Sequence, residues 1–214
     1  LTNLQIISLT IAFVGISLLF KNTSFSALIE DKAFQHRLFG ASAIIFLIWV
    51  LRVGIVDGLS VHFLWLTSLA LMVGFRLSII TAAFLMLGST IVGQETFGMF
   101  GVNILIGVVL PIAISYAVLM LSFHKMERHV FVYIFICAFF ASGLAIAIKM
   151  LLQGLYYYID LDYSWYSVRD NFLKVIPLVV FPEALFNGMI MTLLVIYRPS
   201  WVYTFHDKFY IDGK

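Results

Sequence analysis

Long uninterrupted apolar runs constrain this chain more than any other feature. Residues 4–20 and 102–123 contain no charged side chain at all. Each is long enough, at about 20 residues, to cross the hydrocarbon core of a bilayer as a helix. A helix satisfies its own backbone hydrogen bonds, which lipid cannot do. A transmembrane β-barrel would instead show short segments of alternating polarity. Composition agrees: 63% of the 214 residues are hydrophobic and 11% are charged, against about 45–50% and 25% in soluble domains. So few charges cannot cover the surface of a soluble enzyme or track a nucleic-acid backbone. The lone Cys137 lies within an apolar run and precludes an intrachain disulfide.

The expected fold class is therefore all-α: one integral-membrane helical bundle over residues 1–214. About seven spans are expected, at 4–20, 38–56, 61–75, 77–93, 102–123, 130–158 and 176–197. The first run lacks a basic leader and reads as a retained span. Lys21, Lys32, Arg37, Arg76, Lys125, Arg128, Arg198, Lys208 and Lys214 fall on one side of this arrangement. Only Arg52, Arg169 and Lys174 fall on the other. The positive-inside rule then places the N-terminus outside and the C-terminus in the cytoplasm. Tyr156, Tyr157, Tyr158, Tyr163, Trp165 and Tyr166 form one aromatic belt, and Tyr197, Trp201 and Tyr203 the other. Small residues four apart, Ser8 and Ala12, Ala141 and Ala145, Gly143 and Ala147, mark close helix contacts, within the protein or with a partner.

Few residues carry chemistry. Lys149 and Glu183 lie about 10–14 Å below the outer ends of their spans, by the rise of a helix. Charges at that depth are costly unpaired, so they are expected to form a buried ion pair, structural or switching. Asp57 and Glu95 sit on the outer side, where carboxylates attract cations. His36, His124, His129 and His206 fall in charged cytoplasmic loops, whereas His62 opens the third span on the outer side. A neutral imidazole suits nickel, cobalt, copper or zinc. The sequence holds no HExxH, no CxxC and no nucleophile elbow, and the Gly-rich stretch Gly93–Gly101 lies outside, away from ATP. An enzyme is not expected.

Three stretches resemble the metal-capturing membrane component of cobalt and nickel energy-coupling factor transporters, the CbiM- and NikM-like permeases. Gly58-Leu59-Ser60-Val61-His62-Phe63-Leu64, with Gly74 beyond it, resembles the family's Gly-x-x-x-His-Leu entry to a helix. Phe100-Gly101-Val102-Asn103 is similar to its Gly-x-Asn run after a Gly-rich turn. Pro182-Glu183-Ala184-Leu185, with Arg198-Pro199 at the exit, resembles its final span. Order and spacing hold across residues 38–201. The resemblance implies a compact bundle of about six to seven helices that binds a divalent metal near the outer face. A transmembrane coupling subunit and cytoplasmic ATPases would power uptake across a bacterial-type inner membrane. It implies His62 as a metal ligand and Asn103 as a site-lining group. The family opens Met-His-Ile-Pro-Asp-Gly, and its N-terminal amine and that first histidine complete the metal site. This sequence opens Leu1-Thr2-Asn3-Leu4-Gln5; taken as the start, it leaves the site one nitrogen ligand short. The alternative reading is an accessory subunit of a larger membrane complex that kept the fold and lost the metal site.

Overall fold

The computed structural model describes residues 1–52, 54, 58–206 and 210. Eight helices organise it: α1 (Asn3–Lys21), α2 (Lys32–Val50), α3 (Leu66–Val73), α4 (Phe75–Ile91), α5 (Phe97–Lys125), α6 (Val130–Asp160), α7 (Trp165–Asn171) and α8 (Ile176–Tyr197). Among the described residues, five helical stretches are long and apolar enough to cross a membrane, and α4 is a shorter apolar helix. The all-helical membrane bundle expected from the apolar runs is what forms.

Local chemistry sets the helix ends. Thr2 and Gln5 make a reciprocal capping box at the start of α1, and Asp31 accepts from Ala33 and Phe34 at the start of α2. Within α5, Pro111 has no N–H to give back along the helix, and Asn103–Val109 just before it adopt the wider π-helical pattern.

The expected third span, 61–75, is corrected. Residues 58–65 run without regular structure through the protein interior, and only α3 is helical. Its eight residues reach about 12 Å, well short of a bilayer core. Such a break at membrane depth leaves backbone groups that lipid cannot satisfy. Other parts of the chain satisfy them. At the N-terminal end, the Glu183 carboxyl group accepts from the amides of Leu64 (2.9 Å) and Trp65 (2.8 Å), and Asn187 Oδ1 accepts from Ser68 N–H (2.9 Å). At the C-terminal end, the Tyr203 amide donates to the Met72 carbonyl (3.1 Å) and the Thr204 amide to that of Leu71 (3.2 Å). The half-helix is thus clamped at both ends by α8 and the segment after it.

The small-residue faces pack inside the bundle. Gly101 lies so close to the α1 backbone at Ser8 and Leu9 that no Cβ fits there. Ala12, Ala141 and Ala145 are buried, and Gly143 faces Val180 and Ala184 of α8. The two ends of the bundle differ in chemistry. At one, Thr2 donates to Asp160 (2.6 Å) and Gln5 to Tyr156 (3.2 Å). At the other, Arg76 donates to the Asn22 carbonyl (2.7 Å) and Arg37 to that of Ser200 (3.3 Å).

Candidate metal site

The segment 58–65 carries His62. Gly58 has φ +83°, and the Tyr163 hydroxyl occupies the space a side chain would need, so glycine is required at this turn. Beyond it the chain dives inward: Leu59 and Leu64 are buried, and His62 is 7% exposed. Trp49 fixes the segment from α2. Its indole N–H donates to the Leu64 carbonyl (3.1 Å), and its ring lies 5.4 Å from the His62 ring. His62 Nδ1 lies 3.0 Å from the Phe63 carbonyl. A carbonyl only accepts, so Nδ1 carries the proton and Nε2 keeps its lone pair. Among the described residues nothing hydrogen-bonds to Nε2. This is the arrangement of a histidine ligand whose second nitrogen is anchored by the backbone.

A polar chain runs beside it. Arg52 ion-pairs with Glu95, donates to Ser89 Oγ (3.0 Å) and to the Trp49 carbonyl (2.9 Å). Asn103 Nδ2 donates to the other Glu95 oxygen (2.8 Å). Gln153 donates to Tyr157 (2.8 Å), while its own carbonyl oxygen is enclosed with no partner among the described residues. Glu95, expected to attract cations, has both carboxylate oxygens engaged by protein groups. Its side chain is 16% exposed and both oxygens are occupied, which ties the ends of α2, α4 and α5 together. Asn103 is buried, and its observed partner is Glu95. Asp57 lies outside the described residues.

The expected Lys149–Glu183 ion pair is also corrected. Both residues are buried, at 3% and 1% exposure, yet the described residues show no ion pair between them. The Glu183 carboxyl group is taken by Leu64, Trp65 and Asn187 instead (2.9 Å to Asn187 Nδ2). Two aligned amides at a broken helix end out-compete one flexible amine. Lys149 makes no hydrogen bond among the described residues and lies within electrostatic reach of Glu95, Arg52 and Glu183. Sequence reasoning missed Asn187 and the Arg52–Glu95 pair. Glu183 and Asn187 are four apart on one helix face, which was a readable signal. Arg52 and Glu95 are 43 residues apart, and no local spacing joins them. Among the described residues no three His, Cys, Asp or Glu side chains come together as a metal cluster.

The family model for the cobalt uptake substrate-specific transmembrane region, CbiM, matches residues 2–201. The chain belongs to the CbiM family. Two solved structures share its fold. One, described as a transition metal transporter, aligns with a TM-score of 0.70 at 17% identity, covering 90% of this chain and 88% of that one. The other, a truncated transition metal transporter, aligns at 0.69 and 16%, covering 89% and 94%. No curated protein matches the chain. Within the CbiM frame, the family match spans His62, Glu95, Asn103 and Glu183 together with the broken third segment.

Proposed function

We propose that this chain is the metal-binding membrane component of an energy-coupling factor type uptake system for a divalent transition metal, cobalt or nickel. The end carrying 58–65 faces outward, and the basic end faces the cytoplasm of a bacterial-type inner membrane. The chain performs no covalent chemistry. A transmembrane coupling subunit and cytoplasmic ATPases supply the energy. The observation that carries this reading is His62, a buried imidazole whose Nδ1 lies against the Phe63 carbonyl and whose Nε2 has no hydrogen-bond partner among the described residues, in a chain of the cobalt-uptake family. Imidazole nitrogen is a suitable donor for nickel and cobalt. Asp57, five residues before it in sequence, is the carboxylate proposed to draw cations to the mouth. Asn103 supports the site by holding Glu95, which holds Arg52 and, through it, Trp49.

The competing reading, a docking subunit that lost the site, draws on small-residue faces as its interface. Those at Ala12, Ala141, Gly143 and Ala145 are used within the bundle. Metal content decides between the two. After exposure to nickel, cobalt and zinc, the purified wild type is expected to hold about one metal per chain, as a single-ligand-set site requires. His62→Ala is expected to hold none. Glu95→Gln is expected to keep the metal, because Glu95 braces the helices and does not face the ion. Metal-free wild type would overturn the transport reading and leave the accessory subunit.

A further inference from the structure

A lateral groove of about 590 Å³ opens between α2 and α8, floored by α3. Its walls are apolar: Gly40, Ala41 and Ile44 from α2, Leu69 and Met72 from α3, Leu194 from α8. Its mouth, at the basic end of the bundle, is different. There stand His36, Arg37 and Trp201, with exposed Lys32 one turn earlier on α2. The groove's deep end reaches Trp65 and Ser68, and His62 is not among its lining residues.

We propose that this groove holds one acyl chain of an anionic membrane phospholipid, with its phosphate at the mouth against Arg37, Lys32 and His36. Three observations support that occupant. The first is size. A helix of 10–12 Å diameter displaces about 400–600 Å³ per turn, so the groove would admit roughly one turn of a partner helix or of a second copy. A single flexible chain fills such a space along its length. The second is donor capacity. Arg37 has five N–H groups and, among the described residues, uses three: to the Ala33 carbonyl (3.1 Å), the Ser200 carbonyl (3.3 Å) and Asp31 (3.4 Å). The remaining donors sit at the mouth, and the planar guanidinium matches phosphate geometry. The contact with Asp31 is long for a charge-assisted bond, about 2.7–2.9 Å when tight, so this carboxylate does not saturate the cation. The third is placement. Trp201 lies beside Arg37, with its ring centroid 5.6 Å from the guanidinium carbon, an aromatic–cation pair suited to headgroup level. Ile44, seven residues deeper on α2, lies about 10 Å into the apolar wall.

The test uses the full chain, delipidated in detergent and titrated with phosphatidylglycerol or phosphatidylcholine under native mass spectrometry. Wild type is expected to retain one phosphatidylglycerol and to prefer it about fivefold, the value of one basic contact to an anionic headgroup. Arg37→Gln is expected to lose that preference while still retaining lipid. Gly40→Phe is expected to lose retention. A Cβ at Gly40 meets nothing within 4 Å, so this variant blocks the groove without disturbing the bundle. Ile44→Trp, at a position 52% exposed, provides a second block. Equal uptake of both lipids by wild type would overturn the proposal. So would unchanged retention in both blocked variants, or a lipid-free groove that cross-links to a second copy.

Discussion

Glu183 and Lys149 show how differently two buried ionisable residues can be treated. Glu183 accepts three hydrogen bonds, two of them from backbone amides that have no other partner at the head of α3. Truncating it strands the two amides in an apolar setting, at about 1–3 kcal/mol each, while Asn187 keeps its bond to the backbone carbonyl of residue 183 (2.8 Å). Glu183→Ala is therefore expected to lower stability by about 3 kcal/mol or more. Lys149 has no hydrogen-bonding partner of its own among the described residues. Lys149→Met keeps the stem's volume and removes a buried amine, so its stability is expected to change by less than about 1 kcal/mol or to rise. Thermal unfolding of the two variants in detergent checks this. An ion pair would instead make both substitutions damaging, and equal losses would refute the clamp.

At the scale of elements, α1 and the start of α5 meet backbone to backbone. Gly101 presents bare backbone to Ser8 and Leu9. Gly101→Val must push α1 away and is expected to cost about 1–3 kcal/mol, the usual penalty for overpacking. Limited proteolysis should then cut near Asn22 first, and an unchanged digestion pattern would count against the contact. The long helices were legible because their signal is local: about 20 apolar residues in a row leave few alternatives in lipid. The same signal misread residues 61–75. Apolar composition cannot tell a spanning helix from an extended segment whose amides are met elsewhere. What breaks this segment is Glu183 and Asn187, more than a hundred residues away. His62 could be singled out because its glycine and histidine spacing is local, and the structure buries it. The Glu95 pairing was missed because its partner, Arg52, lies just past the end of α2, 43 residues earlier in the chain. Depth along the chain placed Lys149 and Glu183 at comparable levels, but it carried no information about competing amides.

Across the whole molecule, charge and polarity divide the bundle into two ends. Lys21, Arg37, Arg76 and Arg198 lie at or near one, and Thr2, Glu95 and Asp160 at the other. The proposed orientation makes a direct prediction. Cys137 is buried and gives little background. An introduced Phe97→Cys, at a residue 70% exposed, is expected to react with a membrane-impermeant thiol reagent in intact cells. Met126→Cys at the opposite end, 45% exposed, is expected to react only after the membrane is opened. The reverse pattern would invert the proposed orientation. The clamp on α3 also has a consequence for how the chain is made. The amide of Leu64 waits for a carboxyl group 119 residues later in the sequence. During synthesis the broken segment therefore leaves the ribosome long before anything can satisfy its backbone. Until α8 is inserted, residues 58–73 have no settled place in lipid, and they must be sheltered by the insertion machinery or held at the membrane surface. A ribosome that stalls before α8 leaves an unfinished protein with its proposed metal-binding segment still unseated.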